Sequence, residues 1–304
     1  MLCILLAAAL AAALVGCAPA DRPSGERSLR VLATTGIVAD LARNLVPEGI
    51  EVEALMGPGV DPHLYKASEG DVRRLAGADL VLFNGLHLEG KMGTVLSNMA
   101  RDRRVVALAE TLPAEALLHP PGARGQADPH VWFDVSLWSR LIDPVAAELS
   151  RLAPASAEAI RRRAEAYARR LATLDAWVTE QIATLPPERR VLVTAHDAFG
   201  YFGRRYGMEV VGLQGMSTLA EAGLADMTRV ARLVAARRLP SVFVESSVPR
   251  RNVEALVAAC ADAGHRVRIG GQLYSDALGP AGSGADSYEG MVRHNVQTIV
   301  EGLR

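Results

Sequence analysis

The chain has 304 residues, of which 50% are hydrophobic and 22% are charged. That balance predicts a folded globular protein with one large or two medium domains and excludes a long disordered chain. With 33 basic and 34 acidic side chains and 5% aromatic residues, the sequence gives no electrostatic or stacking basis for nucleic-acid binding. The three cysteines form no CxxC pair, which excludes a disulfide scaffold and a cysteine-based zinc module. Any metal site must therefore use His, Asp and Glu.

Residues 1–17 are a nearly unbroken apolar run that ends at Cys17. The run is shorter than the about 20 residues that a transmembrane helix needs, so we interpret it as a lipoprotein signal peptide. Its end, Leu14-Val15-Gly16-Cys17, is typical of a bacterial lipobox, in which the cysteine is lipidated and the preceding segment is removed. A plain N-terminal membrane anchor is the alternative, and no Lys or Arg precedes the run. Residues 18–28 are polar and contain Pro and Gly, which suits a linker between lipid and domain.

Short β-branched runs alternate with helical stretches along the rest of the chain. The predicted strands are 29–35, 50–56, 79–83, 104–108, 190–195, 208–213, 241–245 and 266–270. The predicted helices are 36–46, 69–77, 90–100, 136–149, 197–206, 219–238, 250–263 and 287–303. Alternation of strand and helix predicts parallel sheets covered by helices, and two such sets predict an α/β protein with two lobes, at 29–150 and 188–304. Cys260 lies in an apolar helical stripe and is predicted to be a core residue.

One long helix is predicted between the lobes, at about 155–185 within a linking segment 151–187. Its apolar residues recur at steps of three and four, while arginines fill mostly the other faces. The apolar positions are Ile160, Ala164, Tyr167, Leu171, Leu174, Val178 and Ile182. A stiff helix that joins both lobes would limit their opening, whereas an ordinary surface helix with a solvated arginine face is the alternative.

Five possible metal ligands stand in loops or at the carboxyl ends of predicted strands. They are His63, His130, His196, Glu245 and Asp276. In open parallel sheets, ligands bind in the crevice outside the carboxyl ends of the strands. Ligands from both lobes therefore predict one metal ion between the lobes.

The tripeptide Asp-Pro-His occurs twice, ending at His63 and at His130. Proline restricts the backbone before each histidine, and the aspartate is placed to hold the second imidazole nitrogen. An isolated histidine in a loop is more often solvated or hydrogen-bonded than metal-bound. We therefore interpret the other four as structural or surface residues: His87, His119, His265 and His294.

The chain resembles the zinc/manganese ABC-transporter lipoproteins, the TroA-like cluster (A-I) of metal-binding solute-binding proteins, over nearly all of 29–304. The motifs that carry the resemblance are GVDPHLY, ADPHVWFDV, TAHDAFGYFGRRYG, GLQGMSTLAEAG, VFVESSVPR, GGQLYSDALG and MVRHNVQTIV. The resemblance implies two α/β lobes joined by one long helix, with a divalent metal between them. It places the metal ligands on His63, His130, His196 and Asp276.

Four acidic residues then take supporting roles. The resemblance places Glu245 near the site as the partner of a histidine, with direct ligation as the alternative. Asp61, Asp128 and Asp197 flank ligands and are expected to orient their loops. The segment after His63 departs from the usual acidic residue and proline, which leaves loop detail open.

The resemblance also implies a location and a role. The protein would be a monomer that a lipid anchors outside the cytoplasmic membrane, at the periplasm or cell surface. It would pass Zn2+ or Mn2+ to an ABC permease and its cytoplasmic ATPase. The chain lacks the long His-rich loop of some zinc-specific relatives, and it has His196 where some manganese-type relatives have Glu. Three imidazoles and a carboxylate suit zinc, while a bidentate carboxylate would suit manganese. The alternatives are a metal-dependent hydrolase with an open zinc position, and a surface protein for cell adhesion. No GxSxG, HExxH or P-loop motif favours an enzyme.

Overall fold

The computed structural model describes residues 28–121, 123 and 125–304. The predicted signal peptide, Cys17 and all of the linker except residue 28 lie outside the described residues. Within the described part, no helix is long and apolar enough to cross a membrane.

Eight strands and ten α-helices alternate along the described residues. The strands are β1 (Leu29–Ala33), β2 (Ile50–Ala54), β3 (Leu80–Phe83), β4 (Val105–Ala107), β5 (Val191–His196), β6 (Glu209–Gln214), β7 (Ser241–Glu245) and β8 (Arg268–Leu273). The helices are α1 (Gly36–Leu45), α2 (Glu69–Gly77), α3 (Gly93–Met99), α4 (Val135–Ser139), α5 (Ile142–Leu152), α6 (Ala157–Ala183), α7 (Gly200–Tyr206), α8 (Leu224–Ala236), α9 (Arg251–Asp262) and α10 (Tyr288–Leu303). The predicted α/β fold is confirmed.

Parallel pairing holds throughout both halves of the described chain. The first half forms a four-stranded sheet in the order β2-β1-β3-β4. In the second half, β5 pairs with β6 and β7 pairs with β8, and contacts between β5 and β7 bring the two pairs side by side. The carboxyl ends of neighbouring parallel strands therefore meet at a common edge in each lobe.

The long helix α6 joins the two lobes as predicted. It has 27 residues, which corresponds to roughly 40 Å, and the predicted apolar stripe is its buried face. That face packs against α1, α4 and α5 of the first lobe and against α7 and α10 of the second. The helix is thus part of one core that continues between the lobes, and the surface-helix alternative is wrong.

Four predicted helices differ from the observed ones by a break or by a start at least three residues later. Helix α3 starts at Gly93 rather than at 90, since 86–92 form turns. The stretch 136–149 is two helices, α4 and α5, because the Pro144 ring lacks an N–H and excludes the carbonyl of Arg140 from a continuous helix. Helix α8 starts at Leu224 rather than at 219, because Gly223 before it has an extended backbone and a low helix propensity. Helix α7 starts at Gly200 rather than at 197, since Asp197 and Ala198 form the turn after β5.

The remaining fold predictions concern Cys260 and the lobe boundaries. Cys260 is a free thiol, fully buried in the core against β5 and β7. The division at 29–150, 151–187 and 188–304 stays a prediction.

Candidate metal centre

Four buried side chains converge on one point between the lobes: His63, His130, His196 and Asp276. One nitrogen or oxygen atom from each lies within 4.8 Å of the others, and none of the four residues is more than 2% exposed. Nε2 of His130 lies 3.3 Å from Nε2 of His63 and 3.4 Å from Nε2 of His196. Two imidazole nitrogens that bind one tetrahedral zinc ion are about 3.3 Å apart, as follows from Zn–N bonds of about 2.05 Å. The spacing of the rings therefore matches a four-coordinate metal site.

The carboxylate of Asp276 completes this cluster from the second lobe. Its Oδ1 lies 3.5 Å from Nε2 of His130, and its Oδ2 lies 3.4 Å from Nε2 of His196. Oδ2 also accepts a hydrogen bond from Ser247 at 3.2 Å, whereas the buried Oδ1 accepts none. A buried carboxylate oxygen without a donor is costly, and a cation at the centre of the cluster would satisfy it.

The positions of these groups follow from the sheet topology. His196 and Glu245 are the last residues of β5 and β7, and Asp276 follows the end of β8. The turn after His196 packs directly on β6, where a Cβ on Gly212 would lie 2.5 Å from the backbone nitrogen of Asp197. Only glycine allows that approach, so Gly212 is part of what places His196.

The two Asp-Pro-His segments share a backbone turn but differ at the imidazole. In each, the histidine N–H donates to the aspartate Oδ1, at 2.8 Å for Asp61 and 2.9 Å for Asp128. Asp128 also holds Nδ1 of His130 at 2.7 Å. Asp61 does not hold the His63 ring; its other oxygen accepts a hydrogen bond of 2.6 Å from Thr218 of the second lobe. The expected carboxylate–imidazole pair thus forms for His130 and not for His63.

Glu245 lies behind His196 rather than among the four converging atoms. Its Oε2 is 2.5 Å from Nδ1 of His196, and its Oε1 accepts the His196 backbone N–H at 2.9 Å. Both oxygens are therefore engaged by one residue. With Nδ1 donating to a carboxylate, the lone pair of Nε2 in His130 and in His196 faces the centre of the cluster, which is the tautomer that binds metal.

Burial and neighbouring charges shift the pKa values of His63 and His196 in opposite directions. Burial lowers the pKa of His63 to about 3, against the opposing effect of Asp276, so this ring is neutral at physiological pH. Burial also acts to lower the pKa of His196, but Glu245 and Asp276 outweigh it and raise that pKa well above 6.5. For Asp276, burial acts to raise the pKa, but the histidines, His196 foremost, hold it below its ordinary value. The metal-free cluster therefore carries a proton at His196 and a negative charge at Asp276.

Asp197 and the remaining histidines lie outside the four-residue cluster. Asp197 lines a cavity of about 340 Å³ together with Asp128, and burial, followed by the charge of Asp128, raises the pKa of Asp197. Three histidines engage backbone carbonyls: His119 with Gly125, His265 with Leu239 and His294 with Gln272. His119 and His87 are exposed on the surface.

Three contacts around the cluster were not predicted from the sequence. Ser247 bonds Asp276, Thr218 bonds Asp61, and Trp132 donates to the carbonyl of Ser275. Trp132 stands two residues after His130 in the segment DPHVW, and Ser247 stands two residues after Glu245, so proximity to a candidate ligand was the available signal. Thr218 gave no such signal, because its partner is in the other lobe.

Comparisons with known proteins agree with the fold, and the relatives they name are metal-binding proteins. The model of the family ZnuA, described as zinc-uptake complex component A, periplasmic, matches residues 31–302. The zinc-binding protein TroA of Treponema pallidum is 51% identical over 273 residues, which cover 90% of this chain and 88% of that relative. The manganese-binding lipoprotein MntA of Bacillus subtilis is 46% identical over 303 residues, which cover 99% of each.

A solved structure extends the match to three dimensions. The periplasmic zinc-binding protein TroA from T. pallidum superposes with a TM-score of 0.89 at 50% identity, covering 91% of this chain and 99% of that one.

Replacing Glu245 with glutamine tests the support behind His196. The amide keeps the size of the side chain but loses the charge that orients Nδ1, so zinc affinity is expected to fall about 10- to 100-fold. Competition against a chelator measures the change. The matched control is Glu254→Gln on the exposed face of α9, which is expected to leave zinc affinity unchanged. Equal affinities for the two variants would contradict the role of Glu245.

The raised pKa of His196 predicts that metal binding displaces a proton. At pH 7 we expect release of about one proton from His196 per zinc ion bound, and none from His63. Zinc affinity should therefore rise with pH up to the raised pKa of His196 and fall as the pH drops below it. Calorimetric titration in two buffers of different ionisation enthalpy counts the protons. A binding enthalpy independent of the buffer would show that no proton leaves.

Proposed function

The chain belongs to the family of periplasmic zinc-uptake components, and on that premise we propose that it captures Zn2+ or Mn2+ as the solute-binding component of an ABC importer. One observation carries the proposal: three buried imidazole nitrogens and a buried carboxylate from both lobes lie within 4.8 Å of one another. Imidazole nitrogens and a carboxylate at these distances are the donor set and spacing of a zinc-type metal site. In this proposal the ligands are His63, His130, His196 and Asp276, and Glu245, Asp128 and Asp61 support them.

The chemistry of the site is capture without covalent change. Three neutral imidazoles and one carboxylate replace the water shell of the ion, and the ion replaces the proton between His196 and Asp276. Four protein ligands leave no open position of the kind that a catalytic zinc keeps for water, which weighs against the hydrolase alternative. Neither the hydrolase nor the adhesin alternative gains support from the relatives.

The identity of the ion rests on coordination geometry. The separations of 3.3 and 3.4 Å between imidazole nitrogens favour a tetrahedral ion such as zinc. Both oxygens of Asp276 also approach the imidazoles, and a bidentate carboxylate would raise the coordination number and suit manganese. The Irving–Williams order predicts that zinc binds more tightly than manganese in such a site, which does not by itself decide the transported ion.

Delivery completes the proposed cycle. A monomer anchored by a lipid at Cys17 outside the cytoplasmic membrane would capture the free ion and pass it to a membrane permease driven by a cytoplasmic ATPase. The relative MntA is named a lipoprotein, which supports the anchor.

Metal-dependent thermal unfolding tests the site. Zinc in 1,000-fold excess over its Kd should stabilise the chain purified without metal by about 4 kcal/mol, seen as a rise in Tm.

His196→Ala should weaken binding by more than about tenfold, since it removes a ligand and exposes the charge of Glu245. His294→Ala is the matched control and should bind as the unchanged chain does. Equal losses in both variants would place the metal elsewhere, and competition between Zn2+ and Mn2+ ranks the two ions.

Lipidation at Cys17 is tested by metabolic labelling in a bacterial host with an alkyne fatty acid. The unchanged chain should carry the label and sediment with membranes, and Cys17→Ala should do neither, because that thiol is the proposed attachment point. Cys260→Ala serves as the control and should keep the label, since Cys260 is buried in the core. Label retained by Cys17→Ala would exclude this anchor.

A further inference from the structure

Trp132 connects the two lobes directly behind the metal cluster. It belongs to the first lobe, two residues after His130, and it is 1% exposed. Its indole N–H donates to the carbonyl of Ser275 in the second lobe at 3.0 Å. Its own carbonyl accepts a hydrogen bond of 2.7 Å from the hydroxyl of Tyr288, also in the second lobe. One side chain and its backbone thus bind the partner lobe at two points.

The acceptor of the indole N–H is the peptide group that carries Asp276. The Ser275 carbonyl is bonded covalently to the backbone nitrogen of Asp276, so the hydrogen bond restrains the backbone from which the carboxylate projects. The indole ring also lies edge-on to the imidazole of His130, with ring centroids 5.2 Å apart and planes at 70°. A single rigid ring therefore contacts both the imidazole of His130 and the peptide group before Asp276.

We propose that Trp132 is a positioning residue that fixes the carboxylate of Asp276 relative to His130 before the metal arrives. The inference rests on the proposed function and concerns the same site. His130 and Asp276 come from different lobes, and their facing atoms are 3.5 Å apart. Without a connection between the lobes, the metal would have to order this pair on binding, and that ordering would subtract from its affinity.

Two further contacts show that the carboxylate is held from more than one side. Ser247 bonds both the side chain of Ser275, at 3.0 Å, and Oδ2 of Asp276, at 3.2 Å. These bonds lie within the second lobe and set the carboxylate against its own strand ends. Trp132 sets the same segment against the first lobe, which is the restraint that a bridging metal site requires.

A double-mutant cycle on zinc affinity tests the proposal in the full chain. Trp132→Phe keeps an aromatic ring but removes the N–H, and we expect zinc to bind about tenfold more weakly. If Trp132 acts through the carboxylate, the same substitution in an Asp276→Ala background should cost less than about twofold. In a His63→Ala background, where the carboxylate remains, the full loss should persist. Additive losses in both backgrounds, or unchanged affinity in Trp132→Phe, would overturn the proposal.

Two variants separate positioning from general stability. Tyr288→Phe removes the second bond to Trp132 and should give a smaller loss that again disappears in the Asp276→Ala background; it carries the test alone if Trp132→Phe does not fold. Trp177→Phe trims a partly buried indole of α6 that packs on the core and should lower the unfolding midpoint with zinc affinity unchanged. An equal affinity loss in Trp177→Phe would assign the effect to packing. If the unchanged chain binds no zinc, the proposed function fails and this inference with it, whereas binding with an additive cycle rejects this inference alone.

Discussion

The structure depends on one constraint. Three imidazole nitrogens and a carboxylate must face one another inside the protein. All four side chains are buried, Nε2 of His63 faces Nε2 of His130, and Oδ1 of Asp276 accepts no hydrogen bond. Such an arrangement is costly in an empty protein and becomes favourable when a cation occupies its centre. The fold must therefore offset the free-energy cost of removing these polar groups from water and bringing them together. No short stretch of sequence can do this.

The two-lobe architecture supplies that restraint. Parallel strands deliver His196, Glu245 and Asp276 to the same edge of the second lobe, while loops of the first lobe carry His63 and His130. Helix α6 packs against helices of both lobes, and its buried stripe belongs to a core that continues from one lobe into the other. Bonds across the cleft, from Thr218 to Asp61 and from Trp132 to Ser275, add local restraint at the cluster itself. Helix α6 and these hydrogen bonds therefore both restrain the distance between the two lobes at the cluster.

Much of this could be predicted from the sequence, and the misses have physical reasons. The strands and the α6 stripe follow hydrophobic periodicity, which is a local property. His196, Glu245 and Asp276 could be predicted because polar residues after parallel strands meet at one edge, whereas His63 and His130 were predicted from the Asp-Pro-His repeat and the family resemblance. The break between α4 and α5 depends on how Pro144 excludes the Arg140 carbonyl, and the late start of α8 depends on the extended backbone at Gly223. The different hydrogen-bond partners of Asp61 and Asp128 could not be predicted either. Both residues stand in the same tripeptide, and only tertiary contacts distinguish them.

That difference also explains how one cluster combines ligands of unequal basicity. His130 and His196 each place Nδ1 against a buried carboxylate, which strengthens the donor character of Nε2, whereas His63 has no such carboxylate and burial lowers its pKa to about 3. Two imidazoles are therefore strong donors whose orientation is fixed, and the third is neutral at any physiological pH. In the proposed site, the negative charge would come from Asp276, and the proton on His196 would balance it until an ion replaced that proton. A divalent cation is the species whose charge and directionality match this combination, since a monovalent cation would not compensate the buried carboxylates and a water molecule has only two hydrogens to donate to acceptor atoms.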